Sequence, residues 1–174
     1  SVIAAVADYK AEHTPNGSIR LAANDVKQAE SRVGFYLRES IHIGQRHGKR
    51  QNIQTTPSGY RMTYSNGARV ECIPIDPSGE AGGNDDMIVY SELWAWKSKA
   101  HQRMWSEMTL SPNKFGKAQR WIDTYAGIHG ESPVLEPLYE AGVKQGRRVW
   151  DDLEVYVNDA ARMLTVWVTK PMFA

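Results

Sequence analysis

The run Met87-Ile88-Val89-Tyr90 constrains this chain more than any other stretch. These residues are largely apolar and strand-forming, and they run through Ser91 straight into Glu92, a carboxylate where the strand should end. In an open α/β sheet, ligands meet the protein at strand ends, which makes Glu92 a candidate catalytic acid. A strand can also end in a Glu that merely sits in solvent, and this stretch by itself does not separate the two.

The surrounding pattern alternates strands with helices. Apolar residues at Val2, Ile3, Val6 and Tyr9 predict a first helix, the cluster Pro15-Asn16-Gly17-Ser18 a turn, and Ile19 to Ala23 a strand. Asp25 with Gln28 reads as the capping box of a second helix whose apolar face holds Ala29, Val33, Tyr36, Leu37 and Ile41. A basic loop over 44–50 follows. The segments 60–64 and 68–75 flank Asn66-Gly67, residues that accept the positive φ of a type I′ hairpin turn. Pro77, Gly79, Gly82 and Gly83 mark 76–86 as a loop leading into the strand at Met87. A helix over 98–108 would bury Ala100, Met104, Trp105 and Met108. A strand over 119–125, a helix over 133–142 ending near Gly142, and closing strands at 153–157 and 163–168 complete the chain. This order argues for an α/β fold with a largely parallel sheet, flanking helices and one inserted antiparallel hairpin.

Size and charge exclude several classes. The 174 residues suit one domain with a real core. Lys and Arg number 21 against 20 Asp and Glu, so a nucleic-acid partner would have to meet a local basic surface. Candidate clusters are Arg46, His47, Lys49 and Arg50, and Lys114, Lys117, Arg147 and Arg148; each also reads as ordinary solvated charge, and no DNA-binding residue is assigned. Cys72 is the single cysteine, which rules out an intrachain disulfide and fits a reducing compartment. The histidines are scattered without metal-ligand spacing, and no apolar run approaches the roughly 20 residues of a membrane span. The tryptophans read mostly as core or near-core rather than as base-stacking platforms. Both ends look cut, because a helix begins at once after Ser1 and no polar tail closes the last strand; the expectation is a fragment.

Two polar strand ends stand out, Tyr90-Ser91-Glu92-Leu93 and Asp123-Thr124-Tyr125-Ala126-Gly127, with a helix between them. On parallel strands they would share one sheet edge. Nucleotide hydrolysis needs such a pair: a carboxylate to orient and deprotonate water, and a hydroxyl or amide on the neighbouring strand to sense the γ-phosphate.

Ile88-Val89-Tyr90-Ser91-Glu92-Leu93-Trp94-Ala95, Arg103-Met104-Trp105-Ser106-Glu107-Met108-Thr109, Trp121-Ile122-Asp123-Thr124-Tyr125-Ala126-Gly127 and Gly130-Glu131-Ser132-Pro133 together resemble the ATPase domain of the large terminase subunit of tailed bacteriophages. The resemblance implies a P-loop NTPase fold of the additional-strand catalytic-glutamate class and a motor that drives viral DNA into procapsids. It implies ATP and Mg²⁺ as cofactors. The implied partners are double-stranded DNA, the portal and procapsid, the small terminase subunit and a homo-oligomeric ring of the chain itself, in the cytoplasm of a bacterial host with no membrane role. Residue by residue, Glu92 matches the catalytic glutamate after the Walker B strand. Thr124, with Gly127, matches the motif that couples phosphate state to domain movement.

The sequence departs from that pattern in several places. Ser91 stands where an Asp usually holds Mg²⁺ through water, and a hydroxyl is the weaker ligand for a hard cation. No GxxxxGK[ST] loop occurs, so the cradle for the β- and γ-phosphates is missing and the 174 residues alone should hydrolyse ATP poorly. The nuclease carboxylates of the family are absent as well. Ser1 could be the last residue of a phosphate loop lying upstream, and so a Mg²⁺ ligand, or an ordinary helix N-cap. Under this reading 1–174 is an incomplete ATPase domain whose sheet should expose unpaired backbone edges. The alternatives are a non-hydrolysing remnant or interaction module with the same fold, and a helicase-like P-loop ATPase.

Overall fold

A computed structural model describes residues 2–23, 33–56, 61–73, 83–108, 114, 117–150 and 152–168. Helix α1 (Val2–His13) leads through the turn at Asn16-Gly17 into strand β1 (Ser18–Ala22), and α2 (Phe35–Arg46) follows. Strands β2 (Ile53–Thr55), β3 (Arg61–Tyr64) and β4 (Arg69–Ile73) come next, then β5 (Met87–Ser91) and a 3-10 turn at Leu93–Ala95. Helix α3 (Lys99–Glu107), β6 (Gln119–Asp123), the short α4 (Leu135–Tyr139) with a π turn at Glu140–Lys144, and β7 (Arg147–Trp150), β8 (Val155–Asn158) and β9 (Met163–Val166) complete the order.

The main sheet has six strands in the order β2-β3-β4-β1-β5-β6. Strands β4, β1, β5 and β6 are mutually parallel, whereas β2 and β3 add antiparallel at one edge. At the other edge β6 has no neighbour beyond it among the described residues. Every residue of β5 is buried, as its apolar run requires of a central parallel strand. Its side chains alternate between two cores: Met87 and Val89 pack with Ala4, Ala7 and Ala11 of α1, while Ile88 and Tyr90 pack with Trp96 and Met104. The buried Tyr90 hydroxyl donates to the Met108 carbonyl at 3.0 Å, and burial pushes its pKa up to about 12.

Several expectations need correction. The Asn66-Gly67 turn is not type I′. Gly67 has φ +82° but Asn66 is not among the positive-φ residues; the Gly67 amide donates to Tyr64 O and the Tyr64 amide to Ala68 O, the pattern of a type I turn with a glycine bulge. Asn66 is held by other work, since its side-chain amide donates to the Ala11 carbonyl of α1 at 2.8 Å. Strands β2 and β7 are not among the expected elements: 53–55 carries no assignment, and Arg147 and Arg148 of β7 read only as a basic cluster. The closing strands lie outside the main sheet and form a three-stranded antiparallel sheet with β7. Helix α2 extends through Arg46 into the expected basic loop, and Tyr36 is exposed on it. Ala100 is exposed on α3, leaving Met104 and Met108 as its buried contacts. Gly142 lies inside the π turn, buried against Thr165 and Met163, rather than at a helix end. Trp150 is 56% exposed, against the reading of the tryptophans as core. The expected capping box at Asp25 and Gln28, most of the glycine-rich loop, and Ser1 lie outside the described residues.

Candidate active site

Strands β5 and β6 are parallel and in register from Met87↔Gln119 to Ser91↔Asp123, so their polar ends share one sheet edge as expected. The chain leaves β5 through Glu92, which adopts a left-handed backbone (φ 57°, ψ 43°). A non-glycine residue there carries a cost of about 1–2 kcal/mol and needs surrounding bonds to hold it. Those bonds come from both sides of the corner. The Glu92 amide donates to the Asp123 carbonyl at 2.7 Å, and the Ala95 amide closes the 3-10 turn onto the Glu92 carbonyl at 2.9 Å.

Trp94 joins the two strand ends. Its backbone amide donates to the Thr124 hydroxyl oxygen at 3.0 Å, and its indole Nε1–H donates to Glu92 Oε2 at 2.7 Å. The Thr124 hydroxyl in turn donates to the Tyr125 carbonyl at 2.9 Å. Gly127, at φ +70°, passes so close to Trp94 that an added Cβ would lie 3.1 Å from the Trp94 Cβ. The corner therefore needs glycine both for its backbone and for its clearance. Lys97 stands 5.8 Å over the Trp94 ring and pairs with Glu131, which tethers the loop after Gly127 to the same indole.

The two sheet edges differ in chemistry. At the start of the parallel strands, Asp85 and Asp86 are buried and satisfied: Arg20 and the Ser18 hydroxyl bind Asp85, and the Ser18 amide and Lys114 bind Asp86. This network fixes where β1 and β5 begin. Helix α1 runs back against β1 through its short turn, and Lys10 near its end donates to the Lys117 carbonyl just before β6. Its first residues consequently lie toward the opposite end of the strands, and Ile3 and Val6 pack against the same core as Val89 and Trp121.

Glu92, Thr124 and Gly127 are thus brought together, with Ser91 buried next to them as the last residue of β5. Sequence reasoning missed Trp94, because a 3-10 turn that folds an indole back onto the residue two before it leaves no periodic signal. It also missed that Asp123 is the register partner of Ser91, which only strand pairing reveals. Of the basic clusters, Arg50 is engaged by Asp8, Glu12 and the Ser40 hydroxyl, and Lys114 by Asp86, so neither is spare cation for phosphate. Burial alone would lower the Arg50 pKa, but the two carboxylates raise it. Among the described residues, no helix is long and apolar enough to cross a membrane.

By sequence, no protein-family profile and no curated protein matches the chain. Solved structures do match it by shape, among them three phage large terminases. The large terminase of bacteriophage HK97 superposes with a TM-score of 0.62 at 12% identity, over 83% of this chain and 30% of that one. The ATPase domain of the large terminase of Thermus phage P74-26 gives 0.54 at 15%, over 83% of this chain and 61% of that domain. The large terminase of a further, thermophilic bacteriophage gives 0.50 at 8%, over 70% of this chain and 29% of that one. The chain thus spans less than a third of the first and the last of these proteins. Over most of its length it carries an α/β fold, mostly parallel with flanking helices, similar to that of these phage large terminases.

Proposed function

We propose that this chain is part of an ATP-hydrolysing motor that translocates double-stranded viral DNA into a procapsid. The observation that carries the reading is the strained Glu92 at the end of β5, hydrogen-bonded through Trp94 to the end of the next parallel strand. Glu92 orients and deprotonates the attacking water, and a carboxylate held at a fixed corner suits that task because misplacement is costly in proton transfer. Thr124 and Gly127 form the coupling element. They contact the turn that carries Glu92, so a change at the γ-phosphate and a movement of the 124–127 loop bear on the same bonds.

The nucleotide itself needs more than these residues. ATP with Mg²⁺ would lie at the edge where α1 begins; that helix has no acidic residue in its first turn to oppose phosphate, and Ser1 and Ser91 are the hydroxyls assigned to the cation there. The open edge of β6 leaves room for a further parallel strand bearing a phosphate loop. The working assembly is a homo-oligomeric ring on the portal of the procapsid, with the small terminase subunit as a further partner, in the cytoplasm of the bacterial host. The presence of Ser91 in place of a carboxylate favours one second reading, a non-hydrolysing module of the same fold.

Glu92→Gln decides between them in the complete natural protein that carries this sequence. Turnover of ATP should fall by about 100-fold or more while nucleotide binding persists. ATPase activity equal in wild type and variant would remove Glu92 as the base, and no activity in either would favour the non-hydrolysing module.

A further inference from the structure

The side chains at the ends of β5 and β6 sort by face. Val89 packs in the core beneath α1, and so does Trp121, its register partner on β6. Tyr90 and Ile122 face the other core. Two residues beyond Val89 and Trp121, Ser91 and Asp123 are paired with each other and belong to the α1 side. Ser91 is 4% exposed, whereas the Asp123 side chain is open to solvent. Asp123 therefore places a carboxylate beside the buried Ser91 hydroxyl, on the face that α1 covers and one residue from Thr124.

That donor set fits a nucleotide-borne cation. Among the described residues, no group of three or more His, Cys, Asp and Glu could cage a metal. Mg²⁺ beside phosphates does not need one; it takes one or two carboxylates and completes its octahedron with phosphate oxygens and water. A hydroxyl alone is a poor share of that shell for a hard cation, and a carboxylate one strand away on the same face supplies the missing charge.

We infer that Asp123, across the strand pair, provides the carboxylate for the divalent cation of the bound nucleotide that Ser91 does not. The acidic position of the site then lies on β6 rather than on β5, on the same face. This rests on the nucleotide-hydrolysing reading above.

The test is the Mg²⁺ requirement of nucleotide binding by the complete natural protein, measured with a fluorescent ATP analogue and, with Mn²⁺ replacing Mg²⁺, by electron paramagnetic resonance. Asp123→Asn, an isosteric change at an exposed side chain, should raise the Mg²⁺ concentration for half-maximal binding about tenfold or more and release bound Mn²⁺. Ser91→Asp placed in an Asp123→Ser background should restore both, a gain of function that misfolding cannot mimic. An unchanged Mg²⁺ requirement in Asp123→Asn, or no recovery in the exchanged protein, overturns the inference alone if Glu92→Gln still blocks turnover. A protein that binds no Mg²⁺-nucleotide at all overturns this inference and the functional reading together.

Discussion

Glu92 shows how a residue can be visible in sequence while its geometry is not. Its place after an apolar strand run is written in the order of residues; its left-handed backbone is not, because the bonds that impose it come from Asp123 and Ala95. The same holds for Trp94, which sequence places near the site but only the 3-10 turn folds onto the carboxylate. Trp94→Phe keeps the ring against Gly127 and deletes only the donor to Glu92. Under the proposed ATPase function, steady-state kinetics of the complete protein should show kcat reduced about tenfold with little change in KM for ATP, as loss of one hydrogen bond to a positioned charge predicts. A rise in KM at unchanged kcat would instead assign the indole to substrate binding.

Elements were legible where local pattern and tertiary context agree. The continuous apolar run of β5, the turn before β1 and the Asn66-Gly67 hairpin were readable, since burial on both faces and turn chemistry leave clear marks. Strand β7, Arg147–Trp150, was not: its residues are exposed, and its strand character comes from pairing with β8 rather than from any periodicity. Helix α3 adds a cap that sequence reading did not foresee. Ser98 accepts from the His101 amide at 3.2 Å, and His101 Nδ1 accepts from the Ser98 amide at 3.3 Å. The second bond requires an unprotonated Nδ1, and burial lowers the His101 pKa below its usual value near 6.5. The folded state then binds its proton less readily than the unfolded chain. This contribution is complete above about pH 6.5 and is lost as pH falls through the lowered folded value. Thermal unfolding between pH 8 and 5 should show a small acid loss in the wild type that is diminished in His101→Gln; equal pH profiles would remove the cap from the account.

At the scale of the whole molecule, β6 is the last strand on its side of the parallel sheet among the described residues. The Gln119 amide donates to the Asp86 carbonyl. By the period of a parallel ladder, the Trp121 and Asp123 amides also face β5, leaving those of Arg120 and Ile122 at the free edge. Hydrogen exchange on this chain should find Arg120 and Ile122 at least about tenfold faster than Trp121, and a strand added along that edge should erase the difference. Uniform protection along β6 would mean the edge is already covered. The overall α/β class was readable because strands alternate with helices. The separate β7-β8-β9 sheet was not, since closing strands carry no sign of which sheet they join. The left-handed corner at Glu92 bears on this larger balance in a further way. A chain shaped only for stability would relax that corner with glycine or asparagine, and a protein that no longer used the carboxylate would gain by the change. Under the proposed function, folding stability and hydrolysis pull this single position in opposite directions, which makes it the place where a working motor and an idle copy of the same fold would first diverge.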